Sequence, residues 1–218
     1  MITVLMATYQ GRQYLEQQLD TILAQTVPVK ILISDDGSDD GTREMLDNYA
    51  GWYPEQVVLH HRTEHTGGAA GNFFWLMQEA LKDEKNEYIL FSDQDDVWEN
   101  DKVSVMLHRM KVLEKGLGSA CPILLYSDME VVDEELYEIS PSFASYTHQD
   151  PDRSSFAELL VENQVTGGAS MINRALFMRC AKAPEVCCMH DWWIALTASC
   201  FGIIEFMPRA LSKYRQHG

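Results

Sequence analysis

The sequence predicts an α/β protein with a mostly parallel central sheet and helices on both faces. Two observations carry that prediction. Short apolar runs alternate with segments of helical periodicity through the first half of the chain, the pattern of successive β-α-β units. The chain has 218 residues, enough for one substantial core, and neither an internal repeat nor a low-complexity linker divides it.

The elements follow in order. Residues 2–7 form an apolar run too short for a helix, and over residues 12–25 Leu15, Leu19, Ile22 and Leu23 recur at helical spacing. Residues 29–33 are again apolar and rich in β-branched side chains, 44–49 read as a short helix, and 57–61 as a strand. Residues 69–81 put Phe73, Leu76, Met77 and Ala80 on one helical face; 88–91 make a fourth strand and 102–113 the helix after it. The second half is less regular. Strands are expected at 122–126 and 131–132, then a loop carrying Pro141 and Pro151, a helix at 156–161, a strand at 165–172, helices at 175–181 and 192–201, and closing strands at 203–207 and 211–214.

The formal charge is −16, from 33 acidic and 17 basic side chains. That excess of acid argues against a nucleic-acid backbone or an anionic membrane surface as the main partner. A nucleotide bound through a metal stays compatible, because the metal reverses the local charge. The five cysteines, Cys121, Cys180, Cys187, Cys188 and Cys200, include no C-x-x-C pair and read as buried, reduced thiols. No apolar stretch reaches the ~18 residues of a membrane span. A first strand starting at Ile2 leaves no room for a signal peptide, so a cytoplasmic location is expected.

In open α/β sheets ligands bind outside the carboxyl ends of the strands. The polar clusters fall there: the first strand ends at Thr8-Tyr9, the second in "SDDGSDDGT", the fourth in "SDQDDVW". After the first strand comes a single glycine, Gly11, with no G-x-G-x-x-G and no G-x-x-x-x-G-K. A bound diphosphate would therefore need its charge neutralised by something other than glycine-loop amides. Asp93 and Asp95 holding Mg²⁺ or Mn²⁺ would do so, since hard carboxylate oxygens suit a hard cation that also binds phosphate. Taken alone, an acidic D-x-D after a strand also reads as a solvated turn, and "DDGSDDG" is turn chemistry too. A calcium loop with Asp36, Ser38, Asp40 and Gly41 at positions one, three, five and six fails, because Asp47 rather than Glu stands at position twelve and a strand precedes it.

Taken together, "VLMATYQGRQYLEQQLDTILAQT", "ISDDGSDDGT", "YILFSDQDDVW", "VTGGASMINRALF", "HDWW" and "YRQHG" resemble a family 2 glycosyltransferase over nearly the whole chain. The last two motifs most resemble bacterial enzymes that build rhamnose-containing or related surface polysaccharides. The resemblance implies a GT-A (Rossmann-like) fold with a smaller antiparallel sheet on the acceptor side. It implies one catalytic domain, 1–115 binding nucleotide sugar and 116–218 binding acceptor, and usually inversion at the anomeric carbon. It also implies a truncated catalytic core whose missing C-terminal part completes the acceptor site or attaches peripherally to the inner face of the membrane.

By the same resemblance, Ala7, Thr8 and Tyr9 would line the base pocket and Asp36 would face the pyrimidine. A carboxylate accepts from the N3–H of uracil or thymine but meets an acceptor in cytosine, which favours UDP- or dTDP-sugars, dTDP-rhamnose among them. Asp93 would contact ribose or metal, Asp95 would ligate the metal, and Asp96 would stand behind them. Asp191 would be the general base that takes the proton of a saccharide or lipid-linked saccharide acceptor; a helix cap is its bland reading. Gly167 and Gly168 would let backbone approach the donor sugar. Arg215 would contact phosphate, and His217 would complete the metal site or touch the diphosphate, neutral imidazole suiting Mn²⁺ better than Mg²⁺. His190 replaces the commoner Glu of the family's E-D pair. Gly67, Gly68, Gly71 and Asn72 would shape the donor-site floor. His60, His61, His65, His108 and His148 share no ligand spacing.

Competing readings are a nucleotidyltransferase, an inactive carbohydrate-binding relative and a receiver-like phosphoacceptor. The first would want a basic glycine-rich loop after the first strand; the last would want its acidic pair there.

Overall fold

The computed structural model describes residues 1–63 and 67–217. The expectation for His65, with the 64–66 part of the loop before the third helix, lies outside the described residues, as does Gly218. The first half runs β1 (Ile2–Thr8), α1 (Leu15–Leu23), β2 (Lys30–Asp35), α2 (Thr42–Trp52), β3 (Val57–His61), α3 (Ala69–Leu81) and β4 (Tyr88–Ser92). The second runs β5 (Val97–Trp98), α4 (Lys102–Leu117), β6 (Ile123–Val132), β7 (Glu138–Ser140), α5 (Phe143–Tyr146), α6 (Phe156–Leu159), β8 (Ser170–Asn173), α7 (Arg174–Cys180), α8 (His190–Phe201) and β9 (Ile203–Arg215).

The strands lie in the order β3-β2-β1-β4-β8-β6-β9-β5, with β7 on β6. β1 pairs in parallel with β2 and β4, and β2 with β3. β8 runs antiparallel to both β4 and β6. The antiparallel strands thus continue the central sheet instead of forming a second, smaller one.

Period-two alternation decides which side chain goes where. Val4 and Met6, Ile31 and Ile33, Leu90, Ile123 and Leu125 enter the core on one face. Their neighbours Leu5, Leu32, Ile89 and Phe91, Leu124 and Tyr126 enter the core on the other. Helix α1 buries Leu15, Leu19 and Ile22 on the first face, and α3 buries Phe73, Leu76, Met77 and Ala80 on the second. Helices on opposite faces and strands growing away from β1 in both directions make the crevice beyond β1 and β4 a topological switch point.

Several sequence expectations change. The closing strands at 203–207 and 211–214 are one strand. β6 pairs Ser127 with Met207 and then Asp128 with Ala210, so Pro208 and Arg209 fall in a bulge, which absorbs a proline that has no N–H to give the ladder. The strand expected over 165–172 begins as a 3-10 turn at Gly167–Ala169 and becomes strand only at Ser170. The loop around Pro141 holds the short α5, capped by the Ser142 hydroxyl accepting from Ser145 N. All five cysteines are free thiols, but only Cys180 is buried, and Cys188 and Cys200 are exposed. Among the described residues, no helix is long and apolar enough to cross a membrane.

Candidate functional site

A cavity of about 720 Å³ opens at the carboxyl ends of β1, β2 and β4, lined by Ala7, Thr8, Tyr9, Asp36, Gly67, Gly68, Ala69, Asn72, Phe73, Asp93, Gln94, Asp95 and Tyr214. Six residues singled out in the sequence as donor or metal contacts therefore share one cavity: Ala7, Thr8, Tyr9, Asp36, Asp93 and Asp95. Gly67, Gly68 and Asn72 also line it, while Gly71 does not.

The acidic stretch after β2 divides its work. Asp35 is fully buried and accepts from Thr8 Oγ1 (3.1 Å), Ser38 N (3.0 Å) and Arg43 Nε (2.8 Å). Those donors hold its carboxyl below the usual range against the upward push of burial. Three successive amides of the loop after β1 then dock on the loop after β2. Gln10 N donates to Ser38 Oγ (2.9 Å), Gly11 N to Thr42 Oγ1 (2.9 Å) and Arg12 N to Asp40 Oδ2 (3.0 Å). Asp35, Ser38 and Asp40 are thus architectural, and Asp36 is the carboxylate of the group that lines the cavity.

The acidic loop between β4 and β5 is held from several sides. Arg215 is buried, its Nε donating to Asp95 O (2.9 Å) and its Nη2 to Gln17 Oε1 (2.6 Å), and its guanidinium lies 4.5 Å above the Tyr14 ring. These engagements make it a clamp on Asp95, and it is not among the cavity's lining residues. His217 Nε2 lies 2.8 Å from Asp95 Oδ2, which brings two of the three expected metal ligands together.

Beneath the loop sits a residue the sequence reading missed. Lys102 is fully buried and donates from Nζ to Gly168 O (2.7 Å) and Ser212 Oγ (3.3 Å), over the Trp98 ring at 4.0 Å. Asp96, 2% exposed, has no hydrogen-bond partner for its Oδ2 among the described residues. Burial drives the Asp96 and Asp93 carboxyls up, with neighbouring acids adding to it, and the Lys102 charge opposes the rise. Carboxyls that raise one another's proton affinity in this way are a set whose charge a cation would balance. A Cβ on Gly168 would lie 3.0 Å from Asp93 Oδ2 and 3.2 Å from Asp96 Oδ2, so glycine there lets the backbone pack against both acids.

Asp191 stands in the first turn of α8, where a carboxylate suits the helix dipole. Its Oδ2 accepts from Gly167 N (3.1 Å) and its Oδ1 from Trp192 N (2.6 Å) and Asn163 Nδ2 (3.3 Å). Burial raises its proton affinity, and its charge in turn raises that of Asp93. Asp191 and the Gly167-Gly168 turn thus lie against the acidic loop and are not among the cavity's lining residues. His190 is 2% exposed, stacked 3.9 Å from the Phe73 ring, and neither ring nitrogen has a hydrogen-bond partner among the described residues. Gln94, Tyr214, Asn163 and Lys102 carried no sequence signal of their own; only the packing of distant segments reveals them.

Comparison with known proteins adds the following. The family model described as glycosyl transferase family 2 matches residues 3–180. The dTDP-rhamnosyl transferase RfbG of Shigella flexneri is 27% identical over 97% of this chain and 71% of its own length. The putative teichuronic acid biosynthesis glycosyltransferase TuaG of Bacillus subtilis is 31% identical over 79% of this chain and 66% of its own. Staphylococcus aureus TarS, solved in complex with UDP, superposes with a TM-score of 0.67 at 16% identity, over 99% of this chain and 60% of that one. The mannosyltransferase PcManGT of Pyrobaculum calidifontis, solved with GDP-Man and Mn²⁺, superposes with a TM-score of 0.66 at 18% identity, over 98% of this chain and 56% of that one. The two structural likenesses speak to the fold alone.

Proposed function

The chain belongs to glycosyl transferase family 2, and from that premise we propose that it moves a sugar, with inversion, from a UDP- or dTDP-sugar to a saccharide or lipid-linked saccharide acceptor in cell-surface polysaccharide synthesis. The observation that carries this reading is the single cavity that brings Tyr9, Asp36, Asp93 and Asp95 together at the strand ends. Residues 1–115 would hold the donor and 116–218 the acceptor. The name of RfbG, a dTDP-rhamnosyl transferase, supports a pyrimidine nucleotide donor.

Asp36 would accept the N3–H of uracil or thymine, with Tyr9 beside the base. Among the described residues no group of three or more His, Cys, Asp or Glu is arranged to hold a metal on its own. The donor set still fits a hard divalent cation that arrives with a diphosphate, since such ions keep to one or two carboxylates and take substrate oxygens for the rest. Asp93 and Asp95 would hold it, with His217, 2.8 Å from Asp95, favouring Mn²⁺ over Mg²⁺. When bound, the ion supplies positive charge against the leaving nucleoside diphosphate.

Asp191 would take the proton of the attacking hydroxyl. Its raised proton affinity suits that role, and the donors from Gly167, Trp192 and Asn163 fix the carboxylate's direction. The test is release of nucleoside diphosphate from a panel of UDP- and dTDP-sugars, with and without acceptor. Asp191→Asn should lower turnover by roughly 10²–10⁴-fold, the usual worth of a general base, with UDP binding unchanged. Full turnover in that variant would remove Asp191 from the mechanism.

A further inference from the structure

We propose that Gln94, the residue between the two aspartates of the acidic loop, is a positioning residue that clasps the base-side loop to the diphosphate-side loop, so that the donor is gripped at both ends by one rigid unit. The inference rests on the reading of the cavity as a nucleotide-sugar site.

The geometry is reciprocal. Tyr9 N donates to Gln94 Oε1 at 2.9 Å, and Gln94 Nε2 donates to Tyr9 O at 2.9 Å. The amide thus pairs with the backbone of Tyr9 on both sides, as a neighbouring strand would, where the chain has left the β1 ladder. Both residues line the cavity, Tyr9 beside Asp36 and Gln94 between Asp93 and Asp95. The two ends of the proposed donor therefore contact segments 85 residues apart in sequence that this side chain ties together beyond the paired ends of β1 and β4.

The glycine of the first loop makes room for the clasp. A Cβ built on Gly11 would fall 2.4 Å from Gln94 Oε1 and 2.7 Å from its Cδ. Gly11 is thereby explained without invoking a phosphate-cradling loop: it is the space the amide occupies. An alanine there meets the free end of a flexible side chain, so the side chain swings away and the backbone stays. Asparagine is too short to span the same gap. Glutamate keeps the acceptor for Tyr9 N but loses the donor to Tyr9 O, leaving two oxygens opposed.

Only Gln94 in this loop has both a donor and an acceptor to offer the Tyr9 backbone. Its neighbours Asp93 and Asp95 would be acceptors alone when ionised, and both are committed to the charge cluster. The spacing of the acidic pair thus has a second reason besides its own chemistry: the intervening residue faces the base loop.

The experiment compares UDP and dTDP binding, measured by calorimetry with Mn²⁺ present, in the wild-type chain, Gln94→Ala, Gly11→Ala, the double variant and Gly51→Ala. The last places its methyl in open space and controls for a glycine change. Each single variant should weaken nucleoside diphosphate binding about tenfold, the scale of a lost pair of hydrogen bonds. The double variant should match the singles, because both remove the same clasp and coupled sites do not add. Circular dichroism and melting temperature should stay near wild type, and donor KM should rise with kcat within about twofold. Unchanged binding in Gln94→Ala and Gly11→Ala overturns the clasp. Additive losses in the double variant do so too, since they assign the two residues separate effects. If the wild-type chain binds neither nucleotide, the functional reading fails first, and that outcome is distinct from either result on the clasp.

Discussion

Replacing His190 with leucine probes the charge economy of the buried site more sharply than any surface change. The imidazole is packed against Phe73 and Phe91 at ring distances of 3.9 and 5.2 Å, and burial pushes its pKa down to about 3. An unfolded histidine titrates near ~6.5. The folded pKa lies below the unfolded one, so the unfolded chain binds the proton first and stability is lost as pH falls below ~6.5 toward 3. At pH 5 the loss is about 2 kcal/mol, from about 1.5 pH steps at about 1.36 kcal/mol each. The buried carboxyls of Asp93 and Asp96, whose proton affinity is raised, act with the opposite sign: they gain stability on acidification. Wild-type stability alone therefore mixes the two. The difference between His190→Leu and wild type isolates the imidazole, because none of the causes of the Asp93 or Asp96 shifts is His190. Urea unfolding at pH 7 and pH 5 should show that difference moving in favour of the variant by about 2 kcal/mol, or roughly 4–8 °C in melting temperature for a chain of this size. A difference that stays constant between the two pH values would mean the imidazole is not held neutral and unpaired, and the account of the site's burial would be wrong.

Three further outcomes follow from the same geometry. Asp36→Asn should weaken UDP binding by about tenfold and bring CDP closer to UDP, since an amide can donate to the cytosine ring nitrogen; competition binding with the two nucleotides decides it. Lys102→Met should cost about 3 kcal/mol at pH 7, the penalty for leaving buried charges uncompensated, and less at pH 5, where the neighbouring carboxyls take up protons. Urea midpoints that match wild type at both pH values would refute a compensating role for the lysine. Arg43→Met should weaken folding by about 1–3 kcal/mol by stripping Asp35 of its 2.8 Å donor, without altering the base preference set by Asp36; a switch in nucleotide preference would mean the division of labour between the two aspartates is wrong.

The sheet was legible because parallel strands buried on both faces leave long apolar runs, and the acids at the ends of β2 and β4 were legible because carboxylates are rare beside such runs. What each acid does was not. Asp35 and Asp36 are adjacent and chemically identical, yet alternation along the strand end turns one into the core and the other into the cavity. Lys102 reads in sequence as an ordinary first-turn helix residue; only the packing of β9 and the Gly168 turn over it makes it an internal cation. The Pro208 break read as two strands because a bulge is a property of the partner strand as much as of the proline. The engagement of Arg215 with the Asp95 carbonyl and the Tyr14 ring joins segments far apart in the chain and is equally invisible in its motif.

The most direct measurement is calorimetric titration of UDP and dTDP into the chain with and without Mn²⁺, repeated on Asp95→Asn. A site in which paired carboxylates and a divalent ion hold the diphosphate predicts that Mn²⁺ strengthens nucleotide binding at least tenfold in the wild type and hardly at all in the variant. Equal affinity with and without the ion, or an ion effect that survives Asp95→Asn, would contradict it.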